Sequence, residues 1–534
     1  MNILKLLDRK DKTKVLLICI GTIFSTLVFC SPVIFLEKYI DSVVSNNEVI
    51  YIAIIMGACY LLMELVQAAV MAMANYVRDK QQLMIGTLVQ RKLFRKYLNI
   101  SYSHIMKTDF SDITNMLLED ISLIMSKCLK PITEIISAIT QLVFGIVYLM
   151  SMSWLLVILI FPLGLITAVL SVATEKKYID NATMRKTTSQ NLWKSFSEIF
   201  RGIIPIRIYA RNNDYAKKVD LHIEQYLDIS NTQNKLEKRN YVVASSLYML
   251  TIAIMVIVTA VLVVNNKLTI GGMVAVQMFN HMLTDPLITI LQTKRDAAEL
   301  KVVNNRLMNI LNTSVVFESQ ERRTPINEIK IENLSFTYEN EGNEKVLDNF
   351  NLHIKLNEHI AIMGETGSGK STLCKLIAGL YNDYEGSIVY YKDGIQVDAL
   401  PTISYLYQNA YIFDDTIEAN IRLSNPNATD EEVHSVIECS VLSSVVKVHG
   451  NERLGENGEK LSGGEKARLR LAQCLLKNDS SLYIFDELSS SLDNETFVTI
   501  MQNIKHRLQD KIVIFVEHNN LIKDYVDRIV VIES

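Results

Sequence analysis

Long apolar runs dominate roughly the first 300 residues of the chain, and crossing a bilayer as a helix takes about 20 mostly apolar residues. We predict six transmembrane helices, at 15–36, 50–74, 129–151, 154–174, 241–264 and 270–292. The polar segments 75–128 and 175–240 contain few Gly or Pro residues and have a helix-forming composition. Each segment therefore predicts two helices joined by a short turn, a stalk that reaches about 40 Å from the membrane.

Lysine and arginine residues mark one side of the membrane. They cluster before the first run and after the second, fourth and sixth, whereas the opposite loops carry only Lys38 and Lys267. Cytoplasmic loops carry the excess of basic residues. We therefore expect a multi-pass membrane protein with the N-terminus and everything after residue 293 in the cytoplasm.

Polar side chains interrupt several of the apolar runs, and an ionisable group inside a span costs about 2.5–3.5 kcal/mol. Four of them share one face of the sixth helix, and others lie in the second and third helices. Two interpretations are open: a polar substrate pathway, or hydrogen bonds between helices. The candidates for the pathway are Glu64, Glu134, Gln141, Gln277, Asn280, His281 and Asp285.

The pattern changes at about Ile329 to short β-rich runs that alternate with helices, which predicts an α/β domain. We assign 1–311 to a transmembrane domain with long cytoplasmic helical extensions, 312–328 to a linker and 329–534 to the α/β domain. The net charge of −4 gives no basic field for nucleic acid. The seven cysteines are far apart without CxxC spacing, which argues against a disulfide framework or a zinc site.

A glycine-rich stretch follows an apolar strand and opens a helix at 361–372. It fits the G-x-x-x-x-G-K-[ST] pattern, whose backbone N–H groups surround phosphates at a helix N-terminus. Lys370 balances phosphate charge and Ser371 can ligate Mg²⁺, but the pattern alone indicates only a P-loop NTPase. The candidate ATP-binding residues here are Gly364, Glu365, Thr366, Gly367, Ser368, Gly369, Lys370, Ser371 and Thr372.

A second motif, Leu461-Ser-Gly-Gly-Glu465, begins 91 residues after Lys370 (461 − 370). With it the chain resembles the ABC ATPase family, whose signature is LSGGQ at this separation. The resemblance implies that Ser462, Gly463, Gly464 and Glu465 contact the γ-phosphate held by an opposite subunit. Glu465 departs from the usual Gln, and we expect this to be tolerated because Ser462 and backbone amides make the phosphate contacts.

The run Leu482-Tyr-Ile-Phe-Asp-Glu487 resembles the family's Walker B motif. It implies that Asp486 holds Mg²⁺ and that Glu487 orients or deprotonates the attacking water, the role that phosphoryl transfer requires. Smaller matches imply further roles: Asp493 in the D-loop, His518 as the switch histidine, Gln408 as the Q-loop residue that senses Mg²⁺, and Tyr338 as the aromatic that stacks on adenine.

Three segments resemble exporters within the family: Gly455-Glu-Asn-Gly458 before the signature, Asp415–Ile421 after the Q-loop, and Ser197–Ile203 as the region of the second coupling helix. The whole is similar to exporter-type half-transporters, including bacterial peptide and bacteriocin exporters. The expected fold class is a polytopic α-helical membrane domain with six transmembrane helices plus an α/β P-loop NTPase domain of the ABC class. The expected partners are ATP, Mg²⁺, the lipid bilayer and a second chain, with a homodimer favoured and a heterodimer possible.

The expected function is ATP-driven export of a small antimicrobial or signalling peptide, which can be modified after translation. No peptidase-like segment precedes the first run, so we do not expect this chain to cleave its cargo. The alternatives are a lipid or lipid-linked oligosaccharide flippase and a metal-chelate importer on an exporter fold. The six predicted transmembrane helices argue against a further alternative, a soluble ABC ATPase that acts in translation or repair.

Overall fold

The computed structural model describes residues 8–45, 50–107, 113–114, 116–172, 175–313, 323–338, 345–408 and 410–532. The chain forms two compact units, Met1–Arg95 with Ser111–Asn312, and Lys96–Phe110 with Thr313–Ser534. The predicted bounds 1–311, 312–328 and 329–534 stay a prediction, and the structure departs from them at 96–110. That segment groups with the second unit, where the Tyr102 ring meets Tyr381 edge-on at a centroid distance of 5.4 Å.

The regular secondary structure of the first unit, among its described residues, is helical. A π-helical turn, Met116–Asp120, precedes the fourth helix. The helices, including the short α3 of the segment 96–110, are α1 (Arg9–Ser45), α2 (Ile50–Leu98), α3 (Tyr102–Lys107), α4 (Ile121–Lys127), α5 (Lys130–Met152), α6 (Trp154–Val172), α7 (Glu175–Arg201), α8 (Ile203–Ile208), α9 (Asn212–Val264) and α10 (Ile270–Asn312).

Among the described residues, the six predicted spans fall on helices, except that Leu129 directly precedes α5. Among the described residues, four helical stretches are long and apolar enough to cross a membrane: Arg9–Ser45, Ala53–Leu98, Met116–Met152 and Asn212–Val264. The predicted span 270–292 lies on α10, and the predicted span 154–174 lies on α6 as far as Val172, its last two residues being outside the described part of the chain. The apolar stretches of these two helices are shorter, Trp154–Ile166 and Ile270–Phe279.

The predicted helical stalks are present. α2 has 49 residues and α9 has 53, so they are about 70 and 80 Å long, against about 30 Å for a bilayer core. The helical path of the second stalk breaks at Gly202, inside the predicted coupling-helix region Ser197–Ile203: α7 continues through Arg201, and the short helix α8 covers Ile203–Ile208. Gly202 is a poor helix former and Pro205 is tolerated in a first turn, which explains the position of the break.

The second unit is built on β-sheets. Its strands are β1 (Arg323–Thr324), β2 (Glu328–Phe336), β3 (Leu347–Lys355), β4 (His359–Gly364), β5 (Glu385–Lys392), β6 (Ile395–Val397), β7 (Leu400–Pro401), β8 (Ile403–Leu406), β9 (Leu482–Asp486), β10 (Ile512–Val516) and β11 (Arg528–Ile532). Its α-helices of the described residues after 322 are α11 (Lys370–Ile377), α12 (Ile417–Arg422), α13 (Asp430–Cys439), α14 (Ser443–His449), α15 (Gly463–Leu475) and α16 (Asn494–Arg507).

A five-stranded parallel sheet with the order β11-β4-β10-β9-β8 forms the centre of this unit. β9 and β10 are buried along their whole length, so the sheet is covered on both faces, as parallel sheets are. An antiparallel sheet, β3-β2-β5-β6, lies in the same unit. Because parallel strands end at one edge, the segments that follow β4, β10, β9 and β8 stand in a row.

Candidate active site

The phosphate loop, residues 365–369, joins the carboxyl end of β4 to α11. Gly369 precedes the first residue of α11 with a φ of 89°, and a Cβ there would lie 2.8 Å from the Val346 carbonyl oxygen. Only glycine combines that backbone conformation with such a close approach. The loop therefore turns back and directs the N-terminus of α11 toward the edge of the sheet.

Lys370 is folded back onto this loop and is only 6 % exposed. Its Nζ donates to the carbonyl oxygens of Gly364, at 3.0 Å, and Glu365, at 2.6 Å. Burial holds the pKa of Lys370 below its usual value, although the charges of Glu487 and Asp486 act in the opposite direction. The ammonium group thus lies within the loop that would surround a phosphate.

Ser368 supplies the test of whether a phosphate fits. Its Oγ is buried, and within the described part of the chain it has no hydrogen-bond partner. A buried hydroxyl without a partner costs about 1–3 kcal/mol. A phosphate oxygen in the loop would satisfy this group, so the residues present fit ATP.

Asp486 ends β9 beside Ser371 and is 2 % exposed. The Ser371 hydroxyl donates to Asp486 Oδ1 at 3.1 Å, and the Tyr405 hydroxyl donates to Oδ2 at 3.3 Å. Burial raises the pKa of Asp486, while these two bonds lower it. A carboxylate and a hydroxyl side by side are the hard oxygen ligands that Mg²⁺ prefers.

Glu487 lies at the meeting point of two other predicted residues. The Gln408 side-chain amide donates to Glu487 Oε2, and His518 Nε2 is 3.8 Å from Glu487 Oε1. The structure therefore brings Gln408 to Glu487 rather than to Asp486 or Ser371. Glu487 itself has a φ of 56°, a left-handed conformation that is strained for a non-glycine residue.

Tyr338 contacts the first turn of α11. Its hydroxyl is 2.9 Å from Thr372 Oγ1, and its ring stands edge-on to Tyr381 with a centroid distance of 5.7 Å. The predicted adenine-stacking residue thus lies beside the helix that follows the phosphate loop, in an aromatic cluster to which Tyr381 also belongs.

The signature residues are placed at a different helix. Ser462 caps α15 in a capping box with Glu465, whose Oε2 accepts the Ser462 backbone N–H at 2.8 Å. These bonds hold the pKa of Glu465 below its usual value. Gly463 and Gly464 start the helix, and a Cβ at Gly464 would lie 3.0 Å from the Ser491 carbonyl oxygen.

Asp493 has a comparable capping role at α16. Its side chain accepts from the backbone N–H and the hydroxyl of Thr496, both at 2.8 Å. The structure therefore joins the signature to the turn before Asp493, through Ser491, and the bonds of Ser462 stay within its own helix.

Two family models match this chain. The family model described as the ABC transporter transmembrane region matches residues 15–287, more than half of the 534-residue chain. A second family model, described as ABC transporter, matches residues 347–490. The chain belongs to the ABC transporter family.

This ABC transporter is similar to two proteins of bacteriocin transport. It is 26 % identical over 544 residues to the lactococcin-A transport/processing ATP-binding protein of Lactococcus lactis subsp. lactis, covering 98 % of this chain and 74 % of the relative. It is 29 % identical over 356 residues to a mesentericin transport/processing ATP-binding protein of Leuconostoc mesenteroides, covering 64 % of this chain and 48 % of the relative.

A solved structure shares the fold. A bacterial Atm1-family ABC exporter with ATP bound superimposes with a TM-score of 0.83 at 17 % identity, over 98 % of this chain and 93 % of that one. The predictions of an exporter-type half-transporter, of its fold class and of an ATP-hydrolysing transporter are thus confirmed. The transporter is an integral membrane protein that binds ATP.

The predicted pathway residues of the transporter have local partners. Glu64 accepts from the Tyr60 hydroxyl at 2.7 Å on the same helix, and Gln141 donates to Ser137 Oγ at 3.2 Å. Glu134 lies 3.5 Å from Lys130 Nζ and accepts from Thr293 of α10 at 3.3 Å. For Glu134 and Gln141 the bonds favour contacts within and between helices, the second interpretation of the sequence.

The candidate residues on one face of the sixth predicted span, Gln277, Asn280, His281 and Asp285, differ from these in their surroundings. Both amide atoms of Gln277 are buried, and neither has a hydrogen-bond partner among the described residues. Asp285 is exposed on α10. The side chains of Asn280 and His281 lie outside the described part of the chain, so their place on the predicted face stays a prediction.

Sequence reasoning missed two side chains at the site of the transporter. Tyr405 contacts Asp486, and Glu517 lies buried between His518 and the strand β10. Burial raises the pKa of Glu517, while bonds from Ser489 lower it. A carboxylate directly after a fully apolar strand and directly before the switch histidine is the signal that could have revealed Glu517.

Proposed function

We propose that the transporter exports a small peptide across the cytoplasmic membrane of a bacterial cell, by alternating access in a dimer driven by ATP hydrolysis. The proposed cargo class rests on the similarity of this transporter to two bacteriocin transport proteins over most of its length. The N-terminus and the ATPase unit are cytoplasmic in this proposal, because basic residues cluster in the segments on that side.

The membrane unit offers chemistry that suits a peptide. The buried amide of Gln277 has a donor and an acceptor without partners among the described residues, and such groups cost free energy until they are paired. A peptide backbone carries both complementary groups, whereas a lipid tail carries neither. Asp285, on the same helix, adds a negative charge that would attract a basic side chain.

The ATPase chemistry follows from the positions of the side chains. Lys370, the loop amides and Ser368 would hold the ATP phosphates. Ser371 and Asp486 would hold Mg²⁺, which neutralises phosphate charge when bound. Glu487 would orient the attacking water and accept its proton, and His518 and Gln408 hold the Glu487 carboxylate in place.

The experiment measures ATP hydrolysis by the purified transporter in lipid nanodiscs, with three classes of probe. These are antimicrobial peptides with lactococcin A among them, a lipid-linked oligosaccharide, and an iron chelate. We expect a peptide to raise turnover and Asp285→Asn to reduce the ratio of stimulated to basal turnover by about threefold to tenfold. Asp228→Asn, an exposed carboxylate on the α9 stalk, is the matched control.

Stimulation by the lipid-linked oligosaccharide or the chelate, with no response to any peptide, would contradict peptide export. If Asp285→Asn leaves the ratio of stimulated to basal turnover unchanged, Asp285 does not contribute to the substrate pathway. The cargo class would then be decided only by which of the three probes stimulates turnover.

A further inference from the structure

Glu517 is a buried carboxylate that the proposed chemistry does not use. It follows β10 and precedes His518, and it is 1 % exposed. Burying a carboxylate is costly unless hydrogen bonds satisfy it. The partners of Glu517 therefore show what holds this charge in the interior.

Ser489 donates a hydrogen bond to each of the two Glu517 carboxylate oxygens. The Ser489 backbone N–H donates to Oε1 at 2.9 Å, and the Ser489 hydroxyl donates to Oε2 at 2.5 Å. Ser489 lies 28 residues earlier, in the 3₁₀ turn Leu488–Ser491 that directly follows Glu487. The two bonds therefore join the segment after β10 to the segment after β9.

These two segments carry the side chains proposed for hydrolysis. The Glu487 backbone N–H donates to the Val516 carbonyl at 2.9 Å, and the His518 ring faces the Glu487 carboxylate at 3.8 Å. Glu487 thus lies between an anchored backbone on one side and the Ser489 anchor on the other. A left-handed conformation persists only where its surroundings hold it, and the Glu517–Ser489 pair is such a constraint.

The same turn reaches the signature helix. Ser491, two residues after Ser489, packs against Gly463 and Gly464 at the start of α15. A shift of the turn Leu488–Ser491 would therefore displace Glu487 before it and change the packing of Ser491 against the signature glycines after it. Ser490 closes the turn by donating through its hydroxyl to the Glu487 carbonyl at 2.9 Å.

We propose that Glu517 is a positioning residue for ATP hydrolysis, which anchors the turn at Ser489 and so holds Glu487 opposite His518. The inference rests on the proposed roles of Glu487 and His518. Glu517 does not touch the reacting atoms in this scheme. Misplacing a group that orients water by about 1 Å can lower a rate by about a hundredfold, so an anchor of this kind affects kcat.

The experiment compares kcat and KM for ATP in the full-length transporter without cargo. We expect Glu517→Ala to lower kcat at least about tenfold while KM changes less than about threefold, because the loop, Lys370 and Ser368 still bind ATP. Glu517→Gln recovers most of kcat, since its amide can accept from the Ser489 N–H and donate to the Ser489 hydroxyl. Ser489→Ala lowers kcat less than Glu517→Ala, and adding it to Glu517→Ala causes no further loss.

Asp527→Ala is the matched control, because Asp527 Oδ2 accepts the His359 backbone N–H at 2.8 Å at the opposite end of the same sheet. It lowers the thermal unfolding midpoint and leaves kcat per folded molecule within about twofold. The inference is overturned if Glu517→Ala keeps kcat within about twofold, if Glu517→Gln is as inactive as Glu517→Ala, or if Asp527→Ala lowers kcat equally. Glu487→Gln is assayed in parallel. Rapid ATP hydrolysis by that variant would contradict the proposed role of Glu487, and it would leave the anchoring of the turn by Glu517 a separate question.

Discussion

Glu487 has a conformation that sequence patterns do not reveal. Its φ of 56° places it in the left-handed region, and Gln408 and His518 approach its carboxylate from two sides. A strained residue at the end of a buried strand, held by polar neighbours, is a common feature of catalytic positions. Glu487 follows the carboxyl end of β9, at the same edge of the sheet from which the phosphate loop starts after β4.

At this scale we predict that Glu487→Gln keeps ATP binding and loses turnover. The amide still accepts one hydrogen bond but cannot take a proton from water, so phosphate release falls to less than about a tenth of the normal rate. Steady-state phosphate release and equilibrium binding of labelled ATP are the two measurements. Glu495→Gln, an exposed carboxylate on α16, serves as the control, and a Glu487→Gln variant faster than that limit would refute the assignment.

Among the elements, the break between α4 and α5 has a defined cap. The helix stops at Lys127 and restarts at Lys130, and Gln82 of α2 accepts both the Leu129 and Lys130 backbone N–H groups, at 3.0 and 3.1 Å. Gln82 is 2 % exposed. A helix N-terminus leaves N–H groups without partners, and here a neighbouring helix supplies the acceptor.

We predict that Gln82→Ala lowers the thermal unfolding midpoint of the transporter in detergent. Two backbone donors lose their acceptor, at a cost of about 1–3 kcal/mol. Gln82→Glu keeps an acceptor oxygen at the same position and retains more stability than Gln82→Ala. Equal midpoints for the wild type and Gln82→Ala would show that water replaces the cap.

On the scale of the whole molecule, one chain contains one phosphate loop and one signature. Ser462 forms its hydrogen bonds with Glu465 of its own helix, and Lys370 forms a hydrogen bond with Gly364 before the phosphate loop. In the proposed dimer the signature of each chain completes the site of the other. Every catalytic element is present in the chain, which favours two identical copies.

Mixing Lys370→Ala chains with Ser462→Arg chains tests that arrangement. In a mixed dimer one site combines both defects, and the other pairs an intact loop with an intact signature. We expect each variant alone to be inactive and verified mixed dimers to recover part of the ATPase activity. Complete inactivity of purified mixed dimers would argue against shared sites.

Short local patterns were enough to predict the glycine-rich loop and the run of membrane helices, whereas Asp486 and Glu487 were singled out by the resemblance of their run to the family's Walker B motif. A glycine spacing, an apolar strand that ends in acid and an apolar run of bilayer length each express their structure within a few residues. The sequence located the second coupling helix only as a region, Ser197–Ile203, because a helix boundary depends on small differences in propensity over several residues; the structure sets the break at Gly202.

Long-range pairs could not be read from the chain, because they depend on the order of strands and the packing of helices. Gln408 meets Glu487 across 79 residues only because β8 lies beside β9, and Glu517 meets Ser489 because β10 lies beside β9. The Glu134 contact with Thr293, 159 residues away, arises in the same way between helices. The sequence determines the chemistry of each side chain, whereas the tertiary structure determines its partner, because partners depend on which helices and strands pack together.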